Sequence, residues 1–465
     1  MERIKLLYVS AEISSYASAG GLGEVAKGFT KAMSEDKDYE VYRAIPLHKG
    51  IQAPMEYLMD YPVSMGEGFE TCVVKIAAEN QGVTTYFIGN DRYFNRASIY
   101  GYEDDGFRFF FFCKAILELL KHLPFHPDLV HTNDWHTGFL PLLLKKEFPS
   151  IKSVYTIHNI SYQGYIPASF LKGLSLTELY SLGWPEWLNF MKAGILYSDL
   201  LTTVSPGYCE EMKQADAGYG MTPLLESRKD KMIGILNGID AKEYNPDKEG
   251  ELAYPFNTKQ LEKKTSNRLW LKKYYGLSPD DRPFAAMITR LDYSKGIDLL
   301  LKAIRYFDFS AFQLLVLGTG NPYYQGILKE LASAYPDSIA VDFTYSEAMA
   351  KRIYAGADLY LMPSLFEPCG VGQLYAMRYG AVPVVNPVGG LKDTVIDYER
   401  NPNEATGFYM KEGSPQAFHE ALSFALKVYH SSDWEKLVQN CMRLDSSWEH
   451  RVRIYKDCYR TLLER

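Results

Sequence analysis

Twice along this chain, short apolar runs alternate with stretches whose apolar residues recur at helical spacing. Strands paired in parallel are covered by their crossover helices on both faces, so they read as near-continuous Val, Ile and Leu runs. In the first half such runs fall at 5–10, 39–46, 72–76, 84–88, 129–132, 153–157, 200–204 and 232–235. In the second half they fall at 284–289, 312–318, 339–343, 359–363 and 382–386, with helical stretches near 296–307, 323–335 and 346–356. The expected fold class is α/β: two doubly wound Rossmann-like domains facing across a cleft, with ligands at the carboxyl ends of the strands.

The break between the two series is marked. Asn237-Gly238-Ile239-Asp240 is a turn, a polar stretch follows to about 266, and an amphipathic helix begins near Thr265. The expected organisation is a first Rossmann-like domain over 1–245, a linker over 246–266 and a second Rossmann-like domain over 267–440. A C-terminal helix within 441–465 is expected to pack back on the first domain. At ~150 residues per domain, a chain of 465 residues has room for this plan.

Composition narrows the partners. A formal net charge of -7 argues against nucleic acid or an anionic membrane. No apolar run reaches the ~18–20 residues of a membrane span. Met1–Ser10 runs straight into a strand without a signal peptide. The six cysteines are scattered without metal or disulfide spacing, which suits a reducing compartment. A cytoplasmic protein is expected. The aromatic share of 14% suits sugar faces, although a Tyr-rich core explains most of it.

Four motifs carry chemistry. Gly20-Gly21-Leu22-Gly23 lies between the first strand and a helix, where backbone N–H groups can approach a phosphate or sugar. Gly21-x-Gly23-x-x-Ala26 also fits a dinucleotide fingerprint, but about nine residues separate it from the strand, too far for that motif. His131-Thr132-Asn133-Asp134-Trp135-His136 is a strand end presenting Asp134 and Trp135 to a ligand, with no third ligand that would make it a metal site. Arg290 and Lys295 stand at the mouth of a strand–helix turn and suit a diphosphate. Glu367-Pro368-Cys369-Gly370-Val371-Gly372 is a second such turn, with one carboxylate beside its amides. Asp36-x-Asp38 matches the carboxylate pair of metal-dependent sugar transferases, yet its neighbours Glu35 and Lys37 read as a solvated loop.

With these segments in hand, the chain resembles the bacterial glycogen synthases and plant starch synthases, retaining glucosyltransferases of family 5 with a GT-B fold. The likeness runs from the first strand to the last helix. It rests on Gly20–Val25, Tyr93–Arg96 with Tyr100–Tyr102, His131–His136, Thr156–Asn159, Tyr162–Gly164, Thr203–Ser205, Asn237–Asp240, Thr289–Gly296, Phe366–Gly370 and Gln373–Gly380. Many GT-B transferases carry a second glutamate eight positions after the first; here Tyr375 follows Glu367, as in the synthases.

The resemblance implies glucose transfer from ADP-glucose, in preference to UDP-glucose, to the non-reducing end of an α-1,4-glucan or maltooligosaccharide with retention. It places Arg290 and Lys295 on the diphosphate, Glu367 on donor sugar hydroxyls, and Cys369 with Gly370, Val371 and Gly372 around the donor. Gly20 and Gly21 would face its phosphates, and Tyr345 would stack on the adenine. His158 would sit near the glucose 6-hydroxyl, with Asp134, Trp135, Asn159, Asn237 and Tyr93 on the sugar or acceptor side. No metal and no organic cofactor is implied.

Two departures fall near the donor phosphates. Ser18 stands where the family usually has lysine, and Val371-Gly372 where it usually has Leu-Thr. A related glucosyltransferase with another donor or a small acceptor, and a catalytically weak glucan-binding homologue, stay open as alternatives.

Overall fold

The computed structural model describes residues 3–78, 82–170, 175–183 and 185–464. The chain separates into two compact units, one formed by 1–238 with 448–465 and the other by 239–447. Both are mixed α/β with Rossmann-like sheets.

The first unit contains β1 (Ile4–Val9), β2 (Tyr39–Pro46), β3 (Glu56–Met65), β4 (Gly68–Ala78), β5 (Thr84–Gly89), β6 (Leu129–Asn133), β7 (Lys152–Ile157), β8 (Tyr165–Pro167), β9 (Trp187–Asn189), β10 (Leu200–Thr203) and β11 (Met232–Gly234). Nine of them form one sheet in the order β11-β10-β7-β6-β1-β2-β5-β4-β3, while β8 and β9 pair separately. The chain leaves β1 toward β2 and later returns to place β6 on its other side, both parallel to it. The loops after β1 and β6 therefore diverge at a topological switch point, where such sheets bind ligands.

The far edge departs from the expected parallel plan. β4 runs antiparallel to β5 and to β3, closed by a tight turn with Gly66 at φ +67°. The segment Glu56–Met65 does not read as a strand because Glu56, Asp60 and Pro62 interrupt its apolar residues. Proline is tolerated there because β3 is an edge strand.

The helix Trp448–Leu463 belongs to this first unit and buries Trp448, Val452, Tyr455 and Tyr459 on one face. A Cβ at Gly28 would stand 2.1 Å from Trp448 Nε1, so only glycine lets the helix Gly21–Ser34 approach so closely. Tyr459 Oη lies 2.6 Å from His131 Nδ1. Lys456 and Arg460 pair with Asp36 and Asp38 respectively, which accounts for that acidic pair without a metal.

The second unit holds β12 (Phe284–Ile288), β13 (Gln313–Leu317), β14 (Ile339–Asp342), β15 (Leu359–Met362), β16 (Val382–Val385) and β17 (Phe408–Tyr409), all parallel in the order β14-β13-β12-β15-β16-β17. Its switch point lies between β12 and β15. The helix Glu262–Tyr274 buries cations at every fourth position instead of an apolar stripe. Lys264 Nζ donates to the carbonyls of Ala355 (2.9 Å) and Tyr379 (3.0 Å), and Lys272 Nζ to those of Asp280 and Arg282, both at 2.7 Å. Arg268 pairs with Asp358 at 2.9 Å. Burial pulls the Lys264 ammonium down to about 7. Lys264 and Lys272 thus supply donors to main-chain carbonyls, and Arg268 to a buried carboxylate.

Candidate active site

In the first unit, the end of β6 turns sharply at Asp134, whose φ of +54° is rare for a non-glycine residue. That turn carries the carboxyl inward, leaving the residue 8% exposed. Asp134 Oδ1 accepts the backbone N–H groups of His158 (2.7 Å) and Asn159 (3.2 Å) at the end of β7. Burial pushes the Asp134 carboxyl up to about 7, against those two N–H groups, which favour its charged form.

His158 is held from both sides. Its Nε2 lies 2.9 Å from Asn133 Oδ1, which also accepts from Tyr8 Oη at 2.9 Å, while Asn133 Nδ2 donates to the Val9 carbonyl. That network assigns the imidazole proton to Nε2 and leaves Nδ1 as an acceptor. Burial lowers the imidazole to about 3, so it is neutral at pH 7.

Trp135 packs over Gly164, where a Cβ would meet the indole at 2.0 Å. Asn159 turns its Oδ1 toward the backbone N–H and hydroxyl of Ser161. Asn237 is buried, and its Oδ1 has no hydrogen-bond partner among the described residues. Tyr93 is buried against Phe111, and its carbonyl accepts from Arg108 Nε at 2.6 Å. Gly20 caps and Gly21 opens the helix Gly21–Ser34, and a Cβ at either would have open space within 4 Å among the described residues. The Gly20 N–H, which the sequence offers to an anion, donates instead to Glu12 Oε2 at 3.0 Å.

In the second unit, the loops after β12 and β15 meet at the switch point. Lys295 Nζ donates to Glu367 Oε2 at 2.7 Å, and Ser364 Oγ reaches the same oxygen at 3.1 Å. Asp292 Oδ1 accepts from the Lys295 N–H and caps the short turn Tyr293–Lys295. Arg290 is exposed, with Asp292 at 3.6 Å. Cys369 is buried, and Gly370 follows at φ +71°. Tyr345, after β14, is 62% exposed.

The departure at Gly372 has a steric reason. A Cβ there would lie 2.7 Å from the Tyr360 hydroxyl, which donates to the Ile288 carbonyl at 3.0 Å. The tyrosine occupies the volume that a threonine at 372 would need.

Sequence reading missed Glu12 and Tyr360, and gave no role to Asn133 and Ser364, although both stand in segments it singled out. The available signal for Glu12 and Asn133 was a polar residue at a strand end beside the switch point. Tyr360 lies inside a strand and gave no such signal. Among the described residues no group of three or more His, Cys, Asp and Glu side chains could hold a metal ion.

Comparison with known proteins identifies the family and agrees with the α/β fold. Residues 5–227 match the starch synthase catalytic domain family, and residues 273–441 match glycosyl transferases group 1. The chain is 40% identical to the glycogen synthase of Moorella thermoacetica, covering 99% of this chain and 97% of that protein. It is 37% identical to the glycogen synthase of Clostridium beijerinckii, covering 99% of each. The catalytic domain of starch synthase IV from Arabidopsis thaliana, solved bound to ADP and acarbose, superposes with a TM-score of 0.92 at 32% identity over 100% of both chains. The chain belongs to the glycogen and starch synthase family and is a glycosyltransferase of the GT-B fold.

Proposed function

We propose that this enzyme transfers glucose from ADP-glucose to the non-reducing end of an α-1,4-glucan with retention of configuration. The observation that carries the reading is the Lys295–Glu367 pair at the switch point of the second unit, with Arg290 on the same loop as Lys295. Two cations beside a carboxylate fit a donor that joins a diphosphate to a sugar. The relative solved with ADP and acarbose supports the same ligand classes.

In this reading Arg290 and Lys295 hold the diphosphate and neutralise charge as the bond from the anomeric carbon to phosphate oxygen breaks. Glu367 accepts from donor sugar hydroxyls, Cys369 to Gly372 surround the donor, and Tyr345 stacks on the adenine. The acceptor 4-hydroxyl attacks the same face, and its proton passes to the leaving phosphate oxygen. Asp134, Trp135, His158, Asn159, Asn237 and Tyr93 serve the sugar and acceptor side, and neutral His158 offers Nδ1 to a hydroxyl. Gly20 and Gly21 keep side-chain volume away from the donor phosphates.

The chemistry is positioning and charge stabilisation, and it calls for no metal or organic cofactor. No described helix is long and apolar enough to cross a membrane. We place the activity in the cytoplasm, with neither nucleic acid nor membrane as partner.

The test is nucleoside diphosphate release from ADP-glucose and from UDP-glucose, each with and without glycogen. Release that requires glycogen and prefers ADP-glucose supports the proposal. Preference for UDP-glucose, or release indifferent to glycogen, points to a relative with another donor or acceptor. Glycogen binding without release from either donor points to a glucan-binding homologue.

A further inference from the structure

We propose that Glu12 is a positioning residue whose carboxylate shapes the glycine loop for the donor phosphates and ties it to the sugar-side loop. The inference rests on the donor reading above. Glu12 follows β1 and is 3% exposed. Its Oε2 accepts from the backbone N–H groups of Ala19 (2.6 Å) and Gly20 (3.0 Å) and from Ser18 Oγ (3.3 Å). Its Oε1 accepts from Tyr100 Oη at 2.6 Å. The Tyr100 ring stacks on His136 with centroids 4.6 Å apart, and His136 lies in the turn that follows Asp134.

One buried carboxylate thus gathers donors from the loop after β1 and from Tyr100, whose ring packs on the turn after β6. The chain's own anion occupies the Gly20 amide that the sequence offers to a phosphate, together with that of Ala19. Two consequences follow. The donor phosphates approach the open side of Gly20 and Gly21, where no side chain intrudes, and not the Ala19 and Gly20 N–H groups. The conformation of the loop, including the residue that caps the helix Gly21–Ser34, depends on the Glu12 charge, because charge-assisted hydrogen bonds are about twice as strong as neutral ones.

Glutamine at 12 can turn its oxygen to the two amides and its NH2 to the Tyr100 oxygen, so it keeps the geometry and loses the charge. Alanine loses both.

The experiment measures the dissociation constants of ADP and of maltohexaose by calorimetry for wild type, Glu12→Ala and Glu12→Gln. Amide hydrogen exchange of residues 13–23 is followed in parallel. The expected result for Glu12→Ala is ADP binding weakened about tenfold or more, the loss of one charge-assisted contact. Maltohexaose binding stays within about twofold, and Ala19 and Gly20 exchange faster. Glu12→Gln falls between alanine and wild type.

ADP binding unchanged in Glu12→Ala overturns the proposal. Equal weakening of both ligands also overturns it, since that is the mark of a general structural role. Should Glu12→Ala fail to fold, Glu12→Gln decides: weaker ADP binding with faster loop exchange upholds the proposal, and wild-type values for either overturn it. A wild-type protein that binds no ADP overturns it as well. These readouts need no turnover, so failure of the synthase reading shows separately, in glycogen-dependent ADP release.

Discussion

Lys295 Nζ and Glu367 Oε2 lie 2.7 Å apart, joining two loops whose residues are 72 positions apart in sequence. Both side chains are largely buried, at 18% and 9% exposure. In the proposed donor reading a diphosphate would compete with Glu367 for the same ammonium, coupling donor binding to release of the carboxylate toward the sugar.

Lys295→Ala is therefore expected to lower turnover of ADP-glucose at least tenfold, because removing one charge-assisted contact removes about 1.5–3 kcal/mol. Glu367→Ala should nearly abolish transfer. Steady-state ADP release, with circular dichroism to confirm folding, checks both, and near-normal rates would remove these residues from the site.

Gly372→Thr places a side chain against the Tyr360 hydroxyl and should destabilise the protein by about 1–3 kcal/mol, as overpacking does. Removing that hydroxyl leaves the nearest ring carbons 3.4 Å from the new Cβ, an ordinary contact. The double variant Gly372→Thr/Tyr360→Phe should recover more than half of the loss. Urea denaturation of the four proteins measures the coupling, and additive losses would show that the hydroxyl is not the obstacle.

Asp134 titrates near pH 7 because burial raises it. Its carboxylate form holds the His158 and Asn159 N–H groups, so kcat/KM should fall as pH drops through about 7, and Asp134→Asn should flatten that limb. Stability takes the opposite sign. The unfolded carboxyl ionises near pH ~4, so the contribution of this group to folding is largest below that pH and is lost as pH rises toward 7. Rate profiles and melting temperatures across pH 5–9 should diverge accordingly.

Ser18→Lys restores a cation beside the glycine loop and should lower the Michaelis constant for ADP-glucose, by about tenfold if the ammonium reaches phosphate. An unchanged constant would mean that Glu12, 3.3 Å from Ser18 Oγ, captures the lysine.

Local pattern made much of this molecule legible. The period of the apolar residues separated strands from helices, and glycine-rich turns after strands marked both switch-point loops. Residue chemistry singled out Lys295, Glu367 and Asp134, and the family resemblance added His158. The hairpin β3–β4 escaped because an edge strand tolerates charge and proline. The helix expected near Thr265 begins earlier, at Glu262, and its buried face carries Lys264, Arg268 and Lys272 beside Leu271, so no apolar residue marks its first turn.

Sequence by itself determined the element types, the two strand–helix series and the residues rich in chemistry. Tertiary structure alone decided what each of them touches. Asp36 and Asp38 meet partners 420 and 422 positions away, Glu12 meets Tyr100 across 88 positions, and Tyr360 takes the space beside Gly372. Periodicity and turn chemistry are properties of a few consecutive residues. Such contacts depend on the order and register in which parallel strands assemble, and no local stretch of sequence carries that information.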